Sequence, residues 1–307
     1  KWTITPGIRF ENIQTNAIGI YNEVNKDGAG NVILNQINHE KLFNARSFVI
    51  FGIGSSYQAR KEMEVYANLS QNYRSINFND IRINNPNLRV DPKLKDEKGI
   101  TMDIGLRGEA NSAIHYDISL FLIKIQDRIG FDNIDDYRYR TNISNSRNGG
   151  VESFIEADLF HLITGQEKKS KLCLFSNLSL IDAKYISSKE TAFEGKKVEH
   201  VPNVIHKTGL SYKRKPFCLS YQYSYVSSQF TDATNAIKTS NAVNGIIPSY
   251  HIMDVSAEYT YRYFTLASGI NNLSNNMYFT RRADGYPGPG IIPSDGRSLY
   301  VTLQVKL

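Results

Sequence analysis

The sequence predicts an antiparallel transmembrane β-barrel, and three observations lead to that fold class. Apolar and polar residues alternate along most of the chain, which is the two-residue period of a strand with one apolar face. The alternating segments are about 9–12 residues long, enough for a tilted strand to cross a bilayer. The connections between them alternate strictly between short and long, as the turns and loops of outer-membrane barrels do.

The composition of the 307-residue chain excludes two other classes of protein. The mean hydropathy is −0.38, and the longest apolar run, residues 48–53, is far shorter than the ~20 residues that a membrane-spanning helix needs. Regularly spaced aliphatic and aromatic side chains, with aromatics at 11% of the chain, exclude a disordered protein. A net charge of +6 is too small to indicate nucleic-acid binding by itself.

Twelve segments carry the alternation, and each is justified by its own pattern. In residues 100–107, for example, Ile100, Met102 and Ile104 share one face, while residues 299–307 place five aliphatic side chains on one face. No helical pattern of any length competes with them. The predicted strands lie near residues 2–13, 46–57, 63–73, 99–109, 114–128, 147–161, 171–184, 203–213, 217–229, 250–261, 264–272 and 298–307.

The connections predict which end of the barrel faces outward from the cell. Short turns are expected near residues 58–62, 109–113, 163–170, 213–216 and 261–263. Long loops are expected over residues 14–45, 74–98, 129–146, 185–202, 230–249 and 273–297. The short turns are therefore predicted to be periplasmic and the long loops extracellular.

A soluble β-sandwich is the alternative that the alternation alone leaves open. The outward-facing set argues against it, because Leu, Ile and Val occupy mid-strand positions and aromatic residues lie near strand ends. That arrangement is typical of a lipid-facing band with aromatic girdles. The girdle residues would include Tyr57, Tyr73, Tyr116, Tyr212 and Phe264.

Several residue types that carry chemistry are present without forming an expected site. Two cysteines, Cys173 and Cys218, form neither a disulfide framework nor a zinc site by themselves. His115, Asp117 and Ser119 share one strand face, but residues two apart on a strand are separated by ~6.7 Å, too far for a catalytic triad. A polar lumen wall is the expected role of that face, so neither an enzyme nor a metal site is predicted.

Arginine is concentrated where the long loops begin and end. Because arginine binds carboxylates and phosphates bidentately, such a cluster suits an anionic ligand. Contact with lipopolysaccharide phosphates or simple loop solubility would also explain it, whereas the interleaved tyrosines and arginines near residue 138 give only a weak case for nucleic acid. The arginines in question are Arg74, Arg82, Arg89, Arg128, Arg138, Arg140, Arg147, Arg281, Arg282 and Arg297.

Four stretches resemble the barrels of TonB-dependent outer-membrane receptors. Residues 269–278 (GINNLSNNMY) are similar to the element before the last strand, and residues 66–74 (YANLSQNYR) to a strand that opens into a large loop. Residues 148–152 (NGGVE) resemble a recurring strand start. Residues 279–297 resemble the last loop of ferric-dicitrate-type members.

The resemblance implies a 22-stranded barrel that is filled by an N-terminal plug and coupled to TonB. This chain has neither a plug sequence nor a TonB box, so residues 1–307 are expected to be the C-terminal portion of the barrel domain, with about twelve of its strands. No apolar leader precedes the first strand, which predicts that a leader has been removed or that the chain is a piece of a longer one. A self-closed twelve-stranded barrel, acting as a porin, protease or lipase, is the alternative.

The function that the resemblance implies is uptake of a ferric chelate, ferric citrate or another siderophore complex, across a Gram-negative outer membrane. The TonB complex would supply the energy through the missing N-terminal part, and outer-membrane lipid and lipopolysaccharide would surround the barrel. No cofactor is expected. The predicted ligand-binding residues are Arg74, Arg138, Arg140, Arg281, Arg282 and Arg297.

Overall fold

A computed structural model describes residues 1–81, 88–134, 137–165, 169–239, 243–283 and 290–306. Within these ranges the chain is almost entirely β-structure, and no helix is long and apolar enough to cross a membrane. Two short helices are α1 (Phe78–Ile81) and α2 (Leu159–Thr164), and one 3-10 turn covers Thr191–Phe193. The strands are β1 (Trp2–Lys26), β2 (Val32–Arg60), β3 (Met63–Arg74), β4 (Leu88–Val90), β5 (Glu97–Ala110), β6 (Ile114–Ile134), β7 (Tyr137–Asp158), β8 (Lys171–Ser188), β9 (Val204–Arg214), β10 (Phe217–Val226), β11 (Gln229–Phe230), β12 (Ile246–Ile247), β13 (Tyr250–Tyr261), β14 (Phe264–Asn271), β15 (Phe279–Ala283), β16 (Gly290–Pro293) and β17 (Ser298–Val305).

Twelve strands form one continuous antiparallel sheet in which neighbours in sequence are neighbours in space. The order is β1-β2-β3-β5-β6-β7-β8-β9-β10-β13-β14-β17, and β4 adds a short parallel pair to β7. This order confirms the all-β antiparallel prediction, and the twelve predicted segments correspond to these twelve strands. Because every connection joins adjacent strands, the loops alternate between the two ends of the sheet.

The prediction of long loops is wrong at two places, because most of the residues there belong to strands. Residues 14–45 continue β1 and β2 as a hairpin, and residues 129–146 continue β6 and β7. The tip of the first hairpin is closed by Asp27, whose carboxylate accepts hydrogen bonds from the Ala29 and Asn31 backbones at 3.0 and 2.8 Å. These extensions carry polar residues on both faces, so the alternation that identifies a membrane strand does not mark them.

A second difference lies in the turn between β7 and β8. The predicted strand over residues 147–161 ends at Asp158, where helix α2 begins. The Asp158 carboxylate caps the helix by accepting from the Phe160 and His161 backbones, and Gly165 ends it in the left-handed conformation. A carboxylate at the N-cap explains why the strand stops there.

The register gives the sheet two chemically different faces. The outer face carries aliphatic side chains such as Met102, Leu120 and Leu180, which are 42–57% exposed. The inner face carries the residues between them, including Asp103 and Asp117. A wide exposed apolar face is unusual for a soluble protein and is the expected lipid-facing surface of a membrane barrel.

Apart from Ala113 in the short β5–β6 turn, the buried hydrophobic residues of the described ranges lie at the loop ends of the strands and not between two sheets. One cluster joins Ile76, Ile81 and Leu94, and the other joins Ala183, Tyr185 and Val198. The other sheets in the described ranges are the two-stranded pairs β11–β12 and β15–β16. A sandwich needs a second large sheet to cover the apolar face, so the soluble alternative does not fit this structure.

The first and last strands are the open edges of the sheet. Within the described residues, β1 pairs only with β2 and β17 only with β14. Each therefore presents one row of backbone N–H and C=O groups without a strand partner, which hydrocarbon does not tolerate. A self-closed twelve-stranded barrel would join β1 to β17, and the structure shows no such pairing in the described part of the chain.

Candidate functional site: the inner wall and the loop ends

Hydrogen bonds between neighbouring strands organise the inner face. The Tyr66 hydroxyl donates to Asp117 Oδ1 at 2.7 Å across the intervening strand β5, and the Asn68 amide donates to Asp103 Oδ2 at 2.8 Å. Arg107 pairs with Glu64 at 3.0 Å and lies over the Tyr66 ring. These pairs fill the wall with satisfied polar groups, which fits the predicted polar lumen.

Glycines on the inner face provide the space in which aromatic rings of the adjacent strand lie. A Cβ on Gly105 would fall 2.3 Å from the Tyr66 ring, and one on Gly209 would fall 2.5 Å from the Phe175 ring. The same relation joins Gly150 to Phe121 and Gly269 to Tyr300. Each ring lies over the backbone of the glycine on the neighbouring strand. Aromatic rings therefore line the inner face at positions where the glycine itself has no side chain.

An ion pair that the sequence does not predict fixes the loop between β3 and β5 to strand β2. Arg46 lies 2.6 Å from Asp96, and the two side chains are only 13% and 9% exposed. Asp96 also accepts from the Ile76 backbone at 2.7 Å, while Arg46 donates to the Ile76 carbonyl at 2.9 Å. Arg46 lies inside a predicted strand and Asp96 is 50 residues away in sequence, so no local pattern joins them.

The predicted ligand residue Arg74 faces the inner side but is engaged within the chain. Its guanidinium contacts Asp80 at 2.9 Å and Glu97 at 3.1 Å, and its side chain is 43% exposed. Glu97 also accepts from the Ile129 backbone. Arg74 therefore ties helix α1 to strands β3, β5 and β6.

Two further predicted arginines lie on the extension of β7. Arg140 donates to the Asn79 carbonyl and lies over the Phe131 ring, 4.7 Å from its centroid. Arg138 is in β7 opposite Leu88, and its side chain is outside the described part of the structure. Arg82 is in the undescribed residues 82–87.

The last loop carries the remaining three predicted arginines. Arg282 donates to the Ile246 carbonyl at 3.1 Å and lies over the Phe279 ring. Arg281 and Arg297 are exposed, and neither forms an ion pair with any residue that the structure describes. The structure thus separates the predicted ligand arginines into engaged ones and exposed ones. It does not gather them at one point, since β3 and β14 are the third and eleventh strands of the sheet path.

The GINNL stretch that carries the resemblance has a structural explanation. Asn272 is 3% exposed and has a left-handed φ of 51°. Its side chain donates to the Asn276 carbonyl at 2.9 Å and accepts from the Asn276 backbone at 2.8 Å, while its own backbone N–H donates to Asp254. Tyr278 stacks on Tyr250 at 4.7 Å. The stretch therefore anchors the last loop to β13.

Loop carboxyls differ in how readily they ionise. Hydrogen bonds from the Asn31 side chain and backbone lower the pKa of Asp27. Burial of Asp91 by itself would raise its pKa. The Thr141 hydroxyl, at 2.6 Å, and the Lys93 backbone N–H donate hydrogen bonds to its carboxylate, and the net effect is a lowered pKa. Burial raises the pKa of Glu190, and the adjacent Asp132 raises it further. The loop end therefore contains one carboxyl that keeps its proton to a higher pH than a free glutamate.

Neither a metal centre nor a catalytic triad is found in the described ranges. No three His, Cys, Asp or Glu side chains converge there as metal ligands would. His115 Nδ1 lies 3.7 Å from Glu109, and Asp117 is bound to Tyr66. His115 and Asp117 therefore have separate partners, as expected for wall residues.

Comparison with known proteins assigns this arrangement of strands to a family. The family described as TonB dependent receptor-like, beta-barrel matches residues 1–273. The chain belongs to the TonB-dependent receptor-like β-barrel family. The family consists of outer-membrane transporters, so the protease or lipase alternative is not supported.

Solved structures of this family share the fold at low sequence identity. The unliganded ferric citrate transporter FecA is 20% identical with a TM-score of 0.75, over 99% of this chain and 42% of FecA. The ferric yersiniabactin uptake receptor FyuA from Yersinia pestis is 15% identical with a TM-score of 0.75, over 99% and 43%. The copper transporter OprC is 15% identical with a TM-score of 0.74, over 99% and 45%. The TonB-dependent receptor-like chain thus spans less than half the length of each.

Proposed function

We propose that this chain forms the C-terminal part of the barrel wall of a receptor that takes up an anionic ferric chelate. Ferric citrate or another siderophore complex would be the substrate, and the TonB complex would supply energy through the rest of the protein. The family match supports the transport class. The open edges of β1 and β17 support a barrel completed by further strands, as in a 22-stranded wall.

The observation that carries the substrate class is the exposed arginine at the last loop. Arg281 lies on β15 opposite Ile292, exposed and without an ion pair among the described residues. A cation in this position favours an anionic chelate over a bare metal cation, which would need carboxylate, imidazole or thiolate ligands. Arg297 lies at the foot of the same loop, so the two arginines are the strongest members of the proposed ligand set.

The other proposed ligand residues would act differently. Arg74, Arg140 and Arg282 already have protein partners, so a ligand would have to share them with those partners. Their removal would disturb the loops as well as the ligand. Arg138 stays in the proposed set by its position on β7.

We expect Arg281→Ala in the full-length receptor to weaken binding of ferric citrate by about 10- to 150-fold, the range of one charge-assisted hydrogen bond at 1.5–3 kcal/mol. Arg281→Lys should recover part of the loss, because it keeps the charge but not the bidentate geometry. Equilibrium binding with purified receptor measures both. Arg262→Ala is the matched control, since Arg262 lies in the β13–β14 turn at the opposite end of the strands and stacks on Tyr261.

Two results would contradict different parts of the proposal. Unchanged affinity in Arg281→Ala would remove this residue from the ligand set and leave the transport class standing. The function itself would be contradicted if cells whose uptake protein for ferric chelates is this receptor accumulated no iron from any ferric chelate.

We expect the long-loop end of the sheet to face the outside of the cell. In a cysteine-free parent (Cys173→Ser/Cys218→Ser), Gly28→Cys at the tip of the first hairpin and Thr234→Cys in the β11–β12 loop should react with a membrane-impermeant maleimide on intact cells. Lys61→Cys in the β2–β3 turn should react only after the outer membrane is opened. Labelling of the turn alone on intact cells would reverse the assigned topology.

A further inference from the structure

A cavity lies on the inner face at the turn end of strands β9, β10, β13 and β14, opposite the end that carries the long loops. Its volume is about 810 Å³. Residues 213–217 at the β9–β10 turn form its base, and side chains of three further strands line its walls. The wall residues include Ser220, Ser256, Glu258 and Tyr300. This cavity is called the turn-end pocket.

One row of paired residues crosses the turn-end pocket. Lys171 of β8 is directly opposite Lys213 of β9. Lys213 is in turn opposite Cys218 of β10, and Cys218 is opposite Glu258 of β13. The next residue along β9, Tyr212, belongs to the outer face, so the row faces the lumen because side chains on a strand alternate with period two.

The pocket carries an excess of positive charge. Lys213, Arg214 and Lys215 are consecutive and exposed, and Lys171 lies beside the first of them. Glu258 is the one carboxylate among the described lining residues. None of these five side chains forms an ion pair with any residue that the structure describes. Because like charges directly opposite on a sheet destabilise it, a bound anion would stabilise the pairing of Lys171 with Lys213.

The lining suits a carboxylate-bearing small molecule. Ammonium groups form charge-assisted hydrogen bonds with carboxylates, and the hydroxyls of Ser220, Ser256 and Tyr300 can donate to the remaining carboxylate oxygens. The volume of about 810 Å³ lies within the roughly 300–1,000 Å³ of small-molecule sites. The pocket therefore combines the charge, the donors and the size that such an anion needs.

We propose that the turn-end pocket is an exit site that binds the ferric chelate through its carboxylates after the chelate has crossed the barrel. The identity of the chelate rests on the proposed function, whereas the preference for a carboxylate-bearing anion rests on the pocket. Lys171 and Lys213 would hold the carboxylates. Glu258 on the facing wall would repel them, which keeps the site weak and favours release. The proposed loop arginines lie at the other end of the strands and form a separate site.

Cys218 provides a direct measurement of the pocket, because its half-buried thiol lies in the row beside Lys213. The parent is the full-length receptor in detergent with Cys218 as its single cysteine (Cys173→Ser). Labelling rates are compared for two methanethiosulfonates, one with an anionic and one with a cationic head. The ratio of the two rates cancels any change in ionisation of the thiol, since both reagents react with the same thiolate.

Two double variants of this parent remove the same number of lysines from different places. Lys171→Gln/Lys213→Gln removes the pocket pair. Lys124→Gln/Lys184→Gln is the matched control, because those lysines lie on the outer face near the loops. We expect the anionic-to-cationic rate ratio to fall about 10-fold in the pocket variant, the low end of electrostatic focusing by a charged cleft. The control variant should keep the ratio of the parent.

Protection of Cys218 from neutral N-ethylmaleimide measures binding of the chelate. Ferric citrate should protect the parent, and the half-protecting concentration should rise about 10-fold in the pocket variant, because each exposed ion pair contributes up to a few-fold. A neutral ferric trihydroxamate should not protect. Glu258→Gln should lower the half-protecting concentration of ferric citrate, since it removes the repelling charge. A folding defect cannot produce that gain, and heat-modifiable gel mobility confirms that each variant has assembled.

Several results would overturn the exit site. A Cys218 that N-ethylmaleimide cannot label in the assembled receptor would show that other parts of the protein close the pocket. Equal changes in the pocket and control variants, or equal protection by the neutral chelate, would show that the cations do not select the ligand. Protection by hexaglutamate at lower concentration than by ferric citrate would assign the pocket to an acidic polypeptide.

The exit site and the proposed function can fail separately. Arg281→Ala should weaken binding at the loops and leave protection of Cys218 unchanged. A receptor that protects Cys218 with ferric citrate but accumulates no iron in cells would contradict the function and not the pocket. A receptor that takes up ferric citrate without any protection of Cys218 would contradict the pocket alone.

Discussion

Replacing Asp96 by alanine is expected to lower the free energy of unfolding of the β3–β5 loop by about 3–5 kcal/mol. The change leaves the Arg46 guanidinium, only 13% exposed, without its 2.6 Å carboxylate partner. It also removes the acceptor of the Ile76 N–H. Loss of this buried charge pair accounts for most of the expected cost. The measurement is native-state proteolysis of the loop in the full-length receptor.

The exposed pair on the inner wall provides the matched control. Arg107 and Glu64 are in contact at 3.0 Å, but the arginine side chain is 53% exposed. Glu64→Ala should therefore cost much less than Asp96→Ala, because water screens an exposed pair. Similar proteolysis rates for Asp96→Ala and Glu64→Ala would show that burial of the Arg46 pair does not govern the stability of the loop.

Gly150→Ala is expected to impair assembly of the barrel, while Gly149→Ala is tolerated. A Cβ at position 150 would fall 2.1 Å from the Leu180 carbonyl oxygen and 2.8 Å from the Phe121 ring. A backbone atom of a paired strand cannot rotate away, so we expect a cost of about 3 kcal/mol, at the upper end of overpacking effects. At position 149 the nearest atom is 3.5 Å away, in ordinary contact.

Urea unfolding and heat-modifiable gel mobility of the two alanine variants measure the difference. Adding Phe121→Ala to Gly150→Ala should recover only part of the stability, since the Leu180 carbonyl contact remains. Complete recovery would mean that the ring alone excludes a side chain at position 150. Equal stability of the Gly149 and Gly150 variants would contradict the close approach of β7 and β8.

The arginines show why candidate site residues are harder to predict than strands. Their types and loop positions are visible in the sequence, and the prediction that they bind an anionic ligand stays a prediction. Their partners are not visible, because Arg74 meets Asp80 through helix α1 and Glu97 through the pairing of β3 with β5. The exposed state of Arg281 is likewise a consequence of the β15–β16 hairpin.

The sequence by itself determined the fold class, the twelve sheet strands and the face that each of their residues takes. It could do so because side-chain alternation is a local property of the backbone and each strand pairs with the next one along the chain. Polar hairpin extensions such as residues 14–45 lack that alternation and escaped prediction. Only the tertiary structure decided which charged groups meet. The register that aligns Lys124, Arg147 and Lys184, and the contact of Arg46 with Asp96, depend on how separate strands and loops are placed in space.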